Sequence, residues 1–404
     1  MTQRMERAAG IFGTNLEHAR SHNRRVVLEA VRLHGALSRA EIARFTMLTS
    51  QTVSNIVEEL EAGGMLRADA PRTGGRGQPA TPLSIDPDGA YSVGLQFDHH
   101  GLTAVLVDLA GQVRRRVEAG VGDPRPEHAV PEMARAVKAL RSRSGVDWSR
   151  VLGAGLAMPG PFNAQGRSLM GPTSLPGWDD PDIDAIARRI GLPLLLENDA
   201  KAAAIGEHLH GAARRLTSFA YLFFGMGFGA GLFVDGHVYK GFGRNAGEIG
   251  HMIVVPDGRP CHCGNRGCLE QYVSLRAAYQ ALDIGRFDRG TPDELARRLQ
   301  AGDREVTAWL ESTVAPLRQA INMLESMLDP ETIILGGVMP EALLSRIGAL
   351  LPPLAVSAAD QPDRPLPRLV IGAAGPDTPA LGAAALPIFD ELNPQLNLLL
   401  KKTG

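Results

Sequence analysis

The chain has 404 residues, with 42 Lys and Arg against 44 Asp and Glu, 44% hydrophobic and 21% charged residues. That balance suits two or three soluble globular domains and excludes a predominantly disordered chain. The opening MTQRMERAAG lacks an apolar segment, so no signal peptide is expected and the cytoplasm is the expected compartment.

The first 85 residues read as a separate head. Ser38 and Glu41 form a capping box that opens a short helix, Ser38 to Phe45. A turn at Met47 and Leu48 leads to Thr49, a second N-cap, and Val53, Ile56, Val57 and Leu60 mark the apolar face of the next helix, which Gly63 and Gly64 stop. This is a helix-turn-helix pattern. Its second helix shows Ser50, Gln51, Thr52, Ser54 and Asn55 on the open face, short polar side chains suited to base edges and phosphates. Two extended pieces, Met65 to Ala68 and Leu83 to Ile85, flank PRTGGRGQPATP, which reads as a wing over 71–82 whose Arg72 and Arg76 reach a minor groove. A flexible linker with two solvated arginines is the alternative. The head carries 11 Arg, no Lys and 8 acidic residues, the right polarity for DNA but a weak one, so a dimer on a two-fold operator is expected.

Two stretches downstream repeat one pattern. Tyr91 to Gly111 and Phe219 to Gly236 each read apolar strand, turn, apolar strand, then Asp and an early Gly. Repetition at domain-size spacing predicts two similar α/β lobes with a cleft between them, set here at 86–200 and 201–404. A βαβ dinucleotide fold is the rival, but neither hairpin carries GxGxxG running into a helix. Thr217 to Val234 is uncharged, yet glycines at 225, 227, 229 and 231 favour two strands around a turn over a membrane span. Asn198 and Asp199 follow the apolar strand Leu192 to Leu196, at a strand's carboxyl end, where open α/β sheets bind ligands.

All three cysteines lie in one segment. Cys261, Cys263 and Cys268 form CxCxxxxC, Gly264 and Gly267 permit a tight knuckle, and His251 supplies a nitrogen for a structural Cys3His zinc site. Three unrelated thiols, or a disulfide with one Cys left over, are the alternatives. Folding around zinc would also fix Glu248 and Glu270 near each other, and paired carboxylates suit sugar hydroxyls. Farther on, Leu310, Val314, Leu317, Ile321, Leu324 and Leu328 form one stripe of a helix from about Glu305 to Leu328; it is either the core of its own lobe or a dimer interface.

The run AGEIGH followed by CxCGxxGCLE resembles the signature of the ROK family, which comprises bacterial sugar kinases and related sugar-responsive regulators of the xylose and N-acetylglucosamine repressor kind. GLAMPGPF, LPGW, LENDAKAAAIGE, GMGFGAG and IILGG follow in family order, over nearly the whole chain. The resemblance implies an α/β protein: a winged helix-turn-helix, then a two-lobed actin-like, sugar-kinase-like (ribonuclease H-type) fold with a zinc knuckle. It also implies that Asp199 corresponds to the kinases' general base and Asn198 to a hydroxyl ligand, in a sugar site completed by Glu248, His251 and Glu270. Lys201 stands where the family usually has Asn. A sugar carrying an acidic group or a phosphate is one consequence, and a solvated lysine on the following helix is the plainer one.

The kinases of the family bind phosphates on a DxGGT-like first hairpin. At the matching positions this chain has Gln96, Asp98, His99 and His100, which put a carboxylate in the phosphate's place, and Met226 replaces the usual Thr of the second Gly-rich turn. The resulting expectation is a non-enzymatic, DNA-binding transcriptional repressor, zinc-containing, acting as a homodimer or dimer of dimers, without a membrane segment and with a sugar as effector. An active sugar kinase with a DNA-binding head is the alternative. A third reading is control by a protein partner through the apolar tail, Leu396 and Leu398 to Leu400.

Overall fold

The computed structural model describes residues 16–71, 80–162, 175–179, 181–285, 287–360 and 363–392. The chain divides into two compact units: Met1–Tyr91 with Asp108–Gln112 and Pro387–Gly404, and Ser92–Val107 with Val113–Leu386.

In the first unit three helices, Leu16–His34, Arg39–Thr46 and Ser50–Ala62, share a core of Val27, Leu28, Val31, Ile42, Val53, Ile56, Val57 and Leu60. Both halves of the capping box form. Ser38 Oγ accepts the Glu41 amide at 3.3 Å, and Glu41 Oε2 accepts the Ser38 amide at 2.8 Å. Met47 takes the left-handed conformation, with φ 55°, to close this helix, and Thr49 Oγ1 accepts the Thr52 amide at 3.2 Å to open the next. Strand β1 (Leu66–Ala68) pairs antiparallel with β2 (Leu83–Ile85), placing Leu66 opposite Ile85. The helix-turn-helix and the hairpin that carries the wing are both present. The helix Leu16–His34 was not anticipated, and Arg72, Arg76 and the apolar tail lie outside the described residues.

The second unit is built on two five-stranded sheets. The first contains β3 (Tyr91–Asp98), β4 (Gly101–Asp108), β5 (Val113–Ala119), β6 (Val151–Met158) and β7 (Leu194–Asn198). The second contains β8 (Phe219–Phe224), β9 (Phe228–Val234), β10 (His237–Val238), β11 (Thr332–Gly337) and β12 (Leu369–Ile371). Spatial orders are β5-β4-β3-β6-β7 and β10-β9-β8-β11-β12, one strand order used twice; β4 and β5 pair antiparallel, as do β8, β9 and β10 in turn, whereas β6 with β7, and β11 with both β8 and β12, pair in parallel. The uncharged segment from Thr217 to Val234 is thus the β8/β9 hairpin, and no helix among the described residues is long and apolar enough to cross a membrane.

Two helices rich in small residues knit the sheets together. Helix Asp199–His210 starts where β7 ends and packs on β8 and β9, with Ala204 so close to Gly231 that a side chain there would collide. The C-terminal helix, Thr378–Leu392, returns to the first sheet, where Ser92 Oγ donates to the Ala384 carbonyl at 2.5 Å and Ala380, Leu381 and Ala384 pack on Val105 and Val107. Side chains at Gly94 or Gly155 would run into this helix's backbone. Helix Arg304–Leu328 shares the core beneath the second sheet: Leu310, Leu317, Ile321 and Leu324 are buried in one cluster with Leu222, Phe224 and Leu335, and Val314 and Leu328 pack against it. The apolar stripe is therefore core.

Candidate effector pocket and metal cluster

One end of the pocket is set by secondary structure alone. Strand β7 lies beside β6 with Met158 opposite Asn198, so Asn198 emerges at the sheet edge next to the turn Pro159–Pro161. Its Oδ1 caps the following helix, accepting the Ala200 and Lys201 amides at 3.0 and 3.2 Å, which leaves its Nδ2 as the group for a ligand. Asp199, the first helical residue, lines the same pocket. Burial pushes its carboxyl up to about 7, assisted by the charges of Asp98 and Glu248.

The opposite end hangs on the knuckle. Glu248 precedes the turn Ile249–His251, and Glu270 opens the short helix Glu270–Val273. Between them Cys261 donates its amide to the Asn265 carbonyl at 2.8 Å, and Gly264 and Gly267 adopt φ of 93° and 79°. Only glycine takes the second position without strain, because a Cβ there would also strike the Val255 carbonyl. The folded knuckle brings His251, Cys261, Cys263 and Cys268 together, with one ligand atom from each within 4.8 Å of the others, a cluster able to hold a metal ion. Cys263 Sγ lies 3.7 Å from Cys268 Sγ, and Cys261 Sγ lies 3.6 Å from His251 Nδ1. All three thiols are free, so the disulfide alternative fails.

Asn198, Asp199, Glu248, His251 and Glu270 line one pocket with Gly227, His262 and Arg276. Burial raises the Glu248 carboxyl. Burial would raise Glu270 too, but the His262 imidazole, with Nδ1 3.1 Å from Glu270 Oε1, together with the Cys261 thiol and His251, outweighs it and holds that carboxyl below its ordinary range. His262 and Arg276 were missed. His262 had a signal, lying between two clustered cysteines, whereas Arg276 belongs to no motif.

Lys201 is neither solvated nor on the pocket wall. It is 1% exposed, and its ammonium donates to the Arg244 carbonyl. Nearby Glu197 pairs with Lys240 at 3.1 Å and Arg244 at 3.5 Å, and Asn245 bonds both the amide and the carbonyl of Phe162, at 2.9 and 2.8 Å. The segment before Glu248 is thereby tied to the Phe162 loop of the first lobe.

At the first hairpin turn Asp98 Oδ1 accepts the His100 amide at 2.7 Å, so that backbone donor is consumed within the turn. The His100 ring meets Tyr279, whose hydroxyl is 3.0 Å from Nε2, and Arg276 Nη2 is 3.3 Å from His99 Nε2. At the second turn Met226 is buried in the core.

On the head, Ser50, Gln51 and Asn55 are exposed, and Thr52 and Ser54 are half-buried. Gln51 Nε2 donates to Asn55 Oδ1 at 2.9 Å, one turn apart, and Thr52 Oγ1 shares a 2.8 Å bond with Thr49. Gln51, Asn55 and Ser50 thus form the accessible part of that face.

A duplicated actin-like fold with a Cys3His cluster at the cleft, behind a winged helix-turn-helix, defines a narrow class of protein. The chain belongs to the ROK family, whose model matches residues 92–388, and a MarR family model matches residues 24–77. It is similar to the xylose repressor of Bacillus subtilis, 27% identical over 64% of this chain and 67% of that protein. It is also similar to the DNA-binding transcriptional dual regulator NagC of Escherichia coli, 23% identical over 81% and 83%. A solved ROK family transcriptional regulator, described as a homologue of the E. coli MLC protein, superposes with TM-score 0.72 at 21% identity over 95% of this chain and 99% of that one, a likeness of fold.

Proposed function

We propose that the protein is a sugar-responsive, DNA-binding transcriptional repressor of the cytoplasm, and that a sugar held by Asn198, Asp199, Glu248, His251 and Glu270 is its effector. Similarity to the xylose repressor and to NagC supports this. The single observation that carries it is the pairing, in one chain, of a capped helix-turn-helix with a pocket that gathers three carboxylates from both lobes. Residues 1–85 form the DNA-binding domain, reading bases with Ser50, Gln51, Thr52, Ser54 and Asn55 and reaching the minor groove with Arg72 and Arg76. The regions 86–200 and 201–404 contribute the two lobes, and a homodimer, or dimer of dimers, engages a two-fold operator. Sugar binding favours one closure of the lobes and thereby changes the spacing of the heads.

The ion we assign to the Cys3His cluster is zinc. Thiolates at about 2.3 Å from a tetrahedral zinc lie roughly 3.8 Å apart, and a thiolate and an imidazole nitrogen roughly 3.6 Å. The distances of 3.7 and 3.6 Å fit both. Bound there, zinc supplies a rigid structural cross-link, and the residues around it hold Glu248 and Glu270.

The protein is not a kinase. Phosphoryl transfer depends on positioning and neutralising the phosphates. Here Asp98 occupies the phosphate turn and takes the His100 amide. The deciding experiment measures operator affinity by fluorescence anisotropy against a panel of sugars, beside an ADP-release assay on whichever sugar acts. Weakened operator binding without turnover is expected. Turnover on the order of 10 per second, typical of enzymes, would replace this reading with the kinase one.

A further inference from the structure

The exposed stripe of helix Ser50–Ala62 carries an amide pair and no cation. From Ser50 to Ala62 there is no Lys or Arg. Gln51 and Asn55, one turn apart and both exposed, are joined by the 2.9 Å bond from Gln51 Nε2 to Asn55 Oδ1. The next exposed residue along the stripe is Glu58, whose charge a phosphate backbone repels. Of the acidic residues beyond it, Glu59 pairs with Arg20 and Glu61 with Arg39. A duplex is therefore best accommodated by the N-terminal half of this helix, the half that contacts base edges in helix-turn-helix proteins.

The bond between the two amides fixes the orientation of Gln51. Asn55 takes one hydrogen of Nε2, which leaves the second hydrogen as a donor and Oε1 as an acceptor, side by side in one plane. The four bases meet such a pair differently in the major groove. Adenine presents N7 as an acceptor beside N6–H as a donor, and satisfies both functions. Guanine presents two acceptors, N7 and O6, so that Oε1 would face O6 with no hydrogen between them. Cytosine offers a donor alone, and thymine an acceptor beside a methyl group, and each leaves one amide function desolvated and unpaired. The commonest readers of guanine, Arg and Lys, are missing from the helix altogether.

We infer that Gln51 reads an adenine in the major groove of each half-site through N6 and N7, with Asn55 as the positioning residue that holds its amide. The inference rests on the reading of residues 1–85 as the DNA-binding domain, and it names the base that this helix selects.

The test uses the full-length protein. Selection from a random duplex pool should return half-sites with adenine at one fixed position. Measured by fluorescence anisotropy, guanine at that position should weaken binding about 5- to 150-fold, the range of a bidentate base contact. There 7-deazaadenine, which lacks N7 and keeps N6–H, should weaken it about 2- to 10-fold, the loss of one hydrogen bond. In Gln51→Ala the three probes should bind alike, and in Asn55→Ala the preference for adenine should narrow without vanishing. Both side chains are exposed, so both variants should melt with the wild type. A selected consensus without a fixed adenine, equal binding of adenine and 7-deazaadenine by the wild type, or a preference that survives Gln51→Ala overturns the inference while DNA binding stands. An Asn55→Ala protein that discriminates as sharply as the wild type overturns the positioning role. If no sequence is enriched over the starting pool, the reading of the head fails and the inference with it.

Discussion

The two ends of the proposed effector pocket are built by different physics. Asn198 and Asp199 stand at the junction of β7 and a helix, positioned by ladder hydrogen bonds and by an N-cap that Asn198 itself supplies. Glu248 and Glu270 sit on either side of a knuckle without a long helix or strand, held by short backbone bridges, Ile253 to Cys268 and Pro260 to Arg266, and by four ligand atoms that converge. The first end is a consequence of folding, and on the proposed zinc site the second would depend on metal binding as well. On that proposal the pocket has a permanent half and a conditional half.

The largest expected effect tests the conditional half. Cys263→Ser, or prolonged chelation, should remove the metal and lower effector affinity about 100-fold or more, because a structural zinc contributes on the order of 10 kcal/mol to ordering its surroundings. Circular dichroism should show the helices retained. Full effector affinity in a preparation shown by metal analysis to be zinc-free would end the distinction between the halves.

Next comes the permanent half. Asp199→Asn should weaken the effector about 10- to 100-fold, the loss of one hydrogen bond to a charged acceptor. With its carboxyl raised to about 7, Asp199 must lose its proton before it accepts a hydroxyl, so wild-type affinity should rise as pH increases through 7. The variant should be flat there. The same shift has a stability consequence: a folded-state value above the unfolded one means that the charged carboxylate costs stability, a cost that grows from about pH 4 to about 7 and is constant above. At pH 8 the Asn variant should therefore melt higher than wild type while binding effector less well. A pH profile shared by wild type and variant would move the titrating role to another group.

The head gives smaller effects. Gln51→Ala should relax base preference by about 1–3 kcal/mol at one position of the operator and leave effector binding unchanged. Selection of bound sequences from a random pool reads this directly, and an unaltered consensus would remove Gln51 from base readout. Thr49→Ala should destabilise the head by about 1 kcal/mol, the worth of an N-cap, without altering metal content. A drop in zinc occupancy would contradict the independence of the two regions.

Much of this molecule is decided by local sequence. The capping box at Ser38 and Glu41, the N-cap at Thr49 and the apolar face of the next helix are all short-range patterns, and each formed as the residues dictate. The repeated hairpin motif announced two sheets, and their identical strand orders follow from it. The cysteine spacing announced the cluster, since a knuckle of eight residues closes on itself. The helix Leu16–His34 was legible only after its partners were known, because its apolar residues find their role in a core shared with two other helices. Tertiary structure decided the rest, at positions where the partner is distant in sequence. Lys201 is buried because Arg244 offers a carbonyl 43 residues away. The final helix belongs to the first sheet because Gly94 and Gly155 leave room for its backbone. Arg276 meets His99 because the first hairpin turn, 177 residues upstream, comes to rest against it. Periodicity and spacing report on neighbours along the chain, whereas the environment of a single lysine or arginine is set by packing that no local pattern encodes.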